Sequence, residues 1–223
     1  MMVIMNNHLT PPGPPDSRVV TMDDAQLFDV VESVLVAGQC VVVPTDTVYG
    51  IAALADDRQA VARLQQAKAR SDAFPPPVLV ADAADAWLTA SSTPAYARAL
   101  GEALWPGALT LILPSVREEL SLVGAVGSIG LRVPDHGQLR ALLRHTGPLA
   151  VSSANRQDQA PATTMEEARA QLGDAVALYV DGGQTPGPLA STVVDCCGAK
   201  PVVRRVGRLT RDQIMSVVGV ADA

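Results

Sequence analysis

Short, unbroken apolar runs separated by helix-length stretches constrain this chain more than any other feature. VVV at 41–43, VLVA at 78–81, LTLIL at 109–113, GLRV at 130–133, LAV at 149–151 and LYV at 178–180 show no polar alternation. STVVD at 191–195 and PVVRRV at 201–206 extend the series toward the C-terminus. A strand that is apolar on both faces must be covered on both faces, as in α/β layer folds. The intervening segments supply the covers. In 23–37, Ala25, Leu27, Phe28, Val31, Val34 and Leu35 recur close to a helical period, and Gly38 can end the helix. Further helices are expected over 57–69, 94–104, 137–145, 165–172 and 210–218. The fold class is therefore α/β, with a mixed sheet and flanking helices.

At 223 residues and 48% hydrophobic, one domain can bury a full core. Aromatics make up only 3%, so that core must come from Val, Leu, Ile and Ala. Residues 1–17, with Pro11, Pro12, Pro14 and Pro15 around Gly13, read as a disordered Pro-rich tail, and 18–223 as a single domain. The start lacks the basic and long apolar regions of a secretory signal, and no stretch reaches the roughly 18 apolar residues of a membrane span. A cytoplasmic location with no membrane contact is expected. Cys40, Cys196 and Cys197 fit neither a disulfide framework nor a zinc site and are expected to be small buried residues. A net charge of −6 argues against a surface dedicated to nucleic-acid phosphates, but not against a local basic pocket.

Several catalytic signatures are missing. There is no P-loop, no G-x-G-x-x-G, no G-x-S-x-G and no H-E-x-x-H. His8, His136 and His145 are scattered, without an evident acidic or nucleophilic partner, so a histidine triad is not expected.

What remains is a series of polar groups at strand ends. PTDTVYG at 44–50 follows the buried valines and is either a capped turn or the rim of a site, with Asp46 open to both roles. AKARSD at 67–72 places Lys68 and Arg70 at a helix end, where they could be solvated or clamp an anion. WPGALTLIL puts Thr110 on a strand. GLRVPD puts Arg132 in an apolar strand, where it needs a ligand or a structural acid such as Asp135. AVSSAN ends in Ser153 and Asn155. DGGQTPGPLASTVVD leads to Ser191 and Thr192, and VVRRVGR supplies Arg204 and Arg205. Each has an ordinary structural explanation alone. Their serial recurrence, hydroxyls at strand ends with cations between them, points to a site for a polar, anionic ligand.

Taken together, PTDTVYG, K-x-R and S-x-N in this order resemble the YrdC/Sua5 family of threonylcarbamoyl-AMP synthases, over residues 18–208. The length resembles the short, YrdC-like form. The resemblance implies a YrdC-like twisted mixed sheet with a concave basic groove. It implies a nucleotidyltransferase that makes threonylcarbamoyl-adenylate and pyrophosphate from ATP, L-threonine and bicarbonate, with Mg²⁺ bound through the ATP phosphates. The adenylate would feed t6A formation at tRNA position 37 through transfer proteins, so tRNA contact would be indirect or weak. The family's signature falls on Lys68, Arg70, Ser153 and Asn155 as catalytic residues, with Lys68 and Arg70 on the triphosphate. Thr47, Arg132 and Ser191 would bind threonine, and Thr110, Ser153 and Arg205 the nucleotide. Two departures stand out: Ala81 lies near a position where many members have a threonine-positioning histidine, and Asn155 is followed by Arg156-Gln157-Asp158 in place of a Ser-Gly pattern. The alternatives are a double-stranded-RNA-binding module without chemistry, which the acidic balance opposes, and a related carbamoyl-transfer enzyme.

Overall fold

The computed structural model describes residues 18–69, 75–116 and 127–219. Their strands form one ten-stranded sheet. They are Arg18–Thr21 (β1), Val41–Val43 (β2), Gly50–Leu54 (β3), Val78–Leu79 (β4) and Leu109–Pro114 (β5), then Ser128–Arg132 (β6), Leu149–Ser153 (β7), Leu178–Asp181 (β8), Thr192–Asp195 (β9) and Val202–Arg205 (β10). The spatial order is β1-β8-β2-β3-β7-β4-β6-β5-β9-β10. Parallel pairs (β1–β8, β2–β8, β4–β6, β5–β9) mix with antiparallel ones, which is the expected mixed sheet.

The helices are Leu27–Val36 (α1), Arg58–Ala67 (α2), Ala83–Thr89 (α3), Ala95–Leu104 (α4), Gly137–Thr146 (α5), Met165–Leu172 (α6) and Arg211–Val218 (α7). Their ends carry the signals that local chemistry predicts. Asp57 accepts the backbone N–H groups of Gln59 and Ala60 at the start of α2, and Thr210 forms a reciprocal capping box with Gln213 at α7. Gly38, at φ +71°, takes the left-handed conformation after α1. α1 begins at Leu27 and not at 23, because the Asp24 carboxylate holds the Gln26 N–H in a turn instead.

Helices cover the two faces of the sheet unequally, and this inequality creates the site. On one face, α3, α4 and α7 pack Ala86, Ala97, Leu100 and Ile214 against Leu109, Leu111, Leu131 and Val194. Toward the other end of that face, α2 and α6 bring Leu64, Met165 and Leu172 onto Val42, Ile51 and Tyr179. On the opposite face α1 and α5 place Leu27, Val31, Leu35, Leu139, Leu142 and Leu143 over Val41, Val43, Ala52, Leu79, Val151 and Leu178. Each fully buried Leu or Val contributes about 1.5–3 kcal/mol. That cover stops at β4: among the described residues, no helix core lies over β6, β5 and β9 on this second face.

Four elements are additional to those read from sequence: β1, β3, α3 and a short 3-10 turn at Gly173–Ala175. Cys40 and Cys196 are buried, as expected, but Cys197 is exposed, because it follows β9 at the point where the chain turns away from the core. Residues 1–17, including the Pro-rich tail, and Arg70 lie outside the described residues.

Candidate functional site

The strand register decides which side chains share the uncovered face. Leu79 pairs with Leu149 on one side and with Arg132 on the other, so these three point the same way. Alternation along β7 adds Val151 and Ser153 to that face, and alternation along β6 adds Gly130 and Ser128. A Cβ on Gly130 would lie 3.6 Å from the Thr110 methyl and 3.4 Å from Pro77 Cβ, which places Thr110 there too. Thr110 in turn pairs with Val193, and Val193 with Arg205. Ser153, Arg132, Thr110 and Arg205 therefore line one surface across four strands. Polar residues at the ends of buried strands are where sheets of this class hold ligands.

PTDTVYG is the hub of this surface. Pro44 ends β2, and the next residues fold over β3, where the Thr45 methyl would sit 3.6 Å from a Cβ on Gly50. Thr45 Oγ1 donates to Val48 O at 2.7 Å and accepts from the Thr47 N–H at 3.1 Å, closing a tight hydroxyl turn. Tyr49 Oη donates to Gly183 O at 2.6 Å and accepts from the Gly182 N–H at 3.1 Å. The Gly187 N–H donates to Thr47 O at 2.7 Å, and the Ala154 N–H to Tyr49 O at 2.8 Å. The turn is thus stitched to both the S-A-N segment and the 182–187 loop. Gly50 is required here: a Cβ would stand 2.6 Å from Val151 Cγ1.

Arg132 lies against this hub. Its Nη2 donates to Asp46 Oδ1 at 2.6 Å, its Nη1 to Thr47 Oγ1 at 3.2 Å and its Nε to Gly107 O at 3.1 Å. The two side chains of the ion pair are only 7% and 11% exposed. The structural acid expected at Asp135 is instead Asp46, because the 44–47 turn crosses the sheet to reach the end of β6, whereas Asp135 sits exposed beyond it. Burial pulls the Arg132 guanidinium below its ordinary value, and the Asp46 carboxylate opposes that shift.

Thr110, Ser191 and Arg205 form a second cluster. The Thr110 and Ser191 hydroxyls are 2.9 Å apart and both are buried. Arg205 Nη2 donates to Ser191 O at 2.9 Å and lies 3.3 Å from Ser191 Oγ. Thr192, the next residue, turns to the other side and fixes the following loop: its hydroxyl donates to Leu209 O at 2.6 Å and accepts from the Gly207 N–H at 2.9 Å.

Lys68, Ser153 and Asn155 form a third. Lys68 is 3% exposed, and its ammonium donates to the carbonyls of Ser153 and Asn155, the latter at 2.7 Å. Its Nζ is also 3.5 Å from Ser153 Oγ. The Asn155 carboxamide is committed to its own loop, donating to Arg156 O at 2.9 Å and Gln159 O at 2.8 Å. That loop departs from the Ser-Gly pattern, and Asp158 within it adopts φ +63°. Ala69, immediately before Arg70, also takes a positive φ of +51°. Ala81 is buried in the core under α1 and α5 and offers no polar group where a histidine would have projected.

Of the residues picked out in the sequence, the structure brings Thr47 to Arg132, Thr110 to Ser191 and Arg205, and Lys68 to Ser153 and Asn155. Sequence reasoning left Asp46 undecided and missed Gly107. A charged arginine in an apolar strand signalled that a partner was needed, but not which one.

These clusters bring hydroxyls and cations together on one sheet face of an α/β protein, an arrangement that can hold a small polar anion. Comparison with known proteins makes the assignment specific. The Sua5/YciO/YrdC domain model, described as "Telomere recombination", matches residues 33–207. The chain belongs to this family. A Mycobacterium tuberculosis protein named provisionally as a threonylcarbamoyl-AMP synthase is 46% identical over 191 residues, 82% of this chain and 85% of its own length. The threonylcarbamoyl-AMP synthase of Bacillus subtilis is 37% identical over 184 residues, 81% of this chain and 53% of the relative. The crystal structure of Pyrococcus abyssi Sua5 complexed with L-threonine superposes with a TM-score of 0.84 at 28% identity, covering 91% of this chain and 60% of that one. This chain thus spans little more than half the length of the Bacillus and Pyrococcus proteins.

Proposed function

We propose that the protein is an L-threonylcarbamoyladenylate synthase, a nucleotidyltransferase acting on ATP, L-threonine and bicarbonate. The observation that carries the reading is the alignment of three hydroxyl–cation clusters on one uncovered sheet face: Thr47 with Arg132, Thr110 and Ser191 with Arg205, and Ser153 with Lys68. Relatives bearing the synthase name, at up to 46% identity, support it.

In this reading the threonine amine and bicarbonate condense to a carbamate with loss of water. A carbamate oxygen then attacks the ATP α-phosphorus, and the bond to pyrophosphate breaks. No protein nucleophile is needed. The chain's task is to hold like-charged reactants together and neutralise them. Arg132 and Thr47, with Ser191, bind the threonine and carbamate end. Thr110, Ser153 and Arg205 bind the nucleotide, and Lys68 with Arg70 meets the triphosphate. For Lys68 this means exchanging a neutral carbonyl contact for a charged phosphate oxygen. Mg²⁺ would be carried on the triphosphate oxygens. Among the described residues no cluster of three His, Cys, Asp or Glu side chains gathers to hold an ion. The product would pass to transfer proteins for t6A formation in tRNA, in the cytoplasm. No described helix is long and apolar enough to cross a membrane.

The test is incubation with ATP, Mg²⁺, bicarbonate and labelled threonine. Threonine-dependent pyrophosphate and a labelled adenylate are expected. ATP turnover that ignores threonine, or none, would overturn the assignment.

A further inference from the structure

Beyond the Asp46–Arg132 pair lies a cavity of about 670 Å³ that shares Asp46 and Gly107 with the Arg132 cluster but none of the side chains assigned above to substrate. It is walled by the start of the 44–47 turn, by Trp105–Ala108, by Asp135 and His136 before α5, by the 182–186 loop and by Arg208, Leu209 and Gln213. Pro44, Trp105, Pro106 and Leu209 give it apolar sides, and its size is that of a small-molecule site.

Its polar groups leave bonding capacity free of protein partners among the described residues, Asp46 at a nearly buried position and Asp135 and Arg208 at the open rim. Asp46 gives Oδ1 to Arg132, and its second oxygen makes no hydrogen bond among the described residues, although the side chain is only 11% exposed. Asp135 forms no ion pair there. His136 accepts the Leu139 N–H at Nδ1, 3.2 Å away, so the neutral ring must carry its proton on Nε2, which has no acceptor among the described residues. The Arg208 guanidinium has no hydrogen-bond or ion-pair partner among the described residues, and Gln213 uses only its carbonyl oxygen, toward the Thr210 N–H. The lining therefore offers unpaired acceptors around Asp46 and Asp135, and unpaired donors around His136 and Arg208.

A polyphosphate does not suit such a lining, since two carboxylates face one guanidinium. A compact zwitterion does. We infer that this cavity is a second binding site, separate from the substrate face, for a free α-amino acid whose ammonium meets Asp46 and Asp135 and whose carboxylate meets Arg208 and His136. An ammonium at the second oxygen of Asp46 draws that carboxylate away from Arg132. Occupancy is thereby coupled to the threonine subsite, a consequence that rests on the role proposed for Arg132 above.

Calorimetric titration of the full chain with individual L-α-amino acids, without ATP, tests the site directly. At least one amino acid should bind in a mode that survives Ser191→Ala. The same mode should weaken about tenfold or more in Arg208→Ala, the fold-change that loss of a charge-assisted contact gives. Arg208 is exposed and outside the core, so its removal leaves the fold in place. His136→Asn, which keeps a capping acceptor at α5, gives an independent second variant. If no amino acid binds in a mode that Arg208→Ala and His136→Asn weaken, the site does not exist, whatever the synthase assay returns. If binding obeys these variants but no adenylate forms, the site stands and the proposed activity fails.

Discussion

Arg132 and Asp46 are joined at 2.6 Å across a chain separation of 86 residues, and the same guanidinium reaches Thr47 at 3.2 Å. The pair does two things at once. It makes a nearly buried cation tolerable, and it fixes which edge of the guanidinium is presented beside the Thr47 hydroxyl.

Asp46→Asn should separate these roles. It leaves Arg132 charged, buried and dependent on Thr47 and Gly107 O alone. Breaking a buried pair from one side costs about 3–5 kcal/mol, and the surviving contacts and the new carboxamide place the expected loss near the lower end. Denaturant unfolding measures this. In the synthase assay the threonine KM should rise much more than the ATP KM. Equal changes in both, or neither, would remove Asp46 as a positioning residue.

How much of this was legible in the chain follows from the range of each interaction. β2, β5, β7 and β8 announced themselves as apolar runs, and the helix expected over 165–172 coincides with α6, whose start Thr164 caps. β3 did not, because Gly50-Ile51-Ala52-Ala53-Leu54 contains small residues whose value lies in letting α1 and the 44–47 turn approach, which no strand propensity records. β1 offers only Val19 and Val20 as an apolar run, and α3 spans barely two turns. Local chemistry correctly marked Arg132 as needing an acid, but proximity in sequence favoured Asp135. Only the sheet order, which runs β2-β3-β7-β4-β6, brings Asp46 within reach. The cavity beside it draws its lining from five separated segments and has no sequence signature at all.

The Thr110–Ser191 hydroxyl pair bridges β5 and the start of β9, and both oxygens are buried. Ser191→Ala strands the Thr110 hydroxyl at about 1–3 kcal/mol, whereas Thr110→Val leaves Ser191 Oγ the Arg205 Nη2 contact at 3.3 Å and should cost less. The double variant leaves neither group unsatisfied, so its cost should fall short of the sum by at least about 0.5 kcal/mol. Additive losses by thermal or denaturant unfolding would mean that the two hydroxyls do not interact. Nucleotide affinity should fall in all three.

Lys68 is buried and serves two carbonyls of the S-x-N segment. Lys68→Met keeps the aliphatic stem but takes the ammonium from both carbonyls, of which Ser153 O keeps the Asn155 N–H at 2.9 Å, a loss of roughly 1–3 kcal/mol. Pyrophosphate release should fall by about 100-fold or more if the ammonium also meets the triphosphate, consistent with the loss of a positioned charge on a transferring phosphoryl group. A variant that is destabilised yet fully active once folded would confine Lys68 to a structural role.

His136 gives the fold a pH dependence of known sign. Burial holds its imidazole below the ordinary value of 6.5, against the pull of Asp46 and Asp135. The folded state therefore binds its proton more weakly than the unfolded chain does, and stability is complete above the unfolded value. It declines as pH falls below about 6.5 toward the lower folded value. Protonation also removes the Nδ1 lone pair that accepts the Leu139 N–H, so the cap of α5 is lost with it. Unfolding free energy measured between about pH 7 and pH 5 should drop more steeply in the wild type than in His136→Asn, which caps without titrating. Parallel curves for the two proteins would show that another group carries the decline.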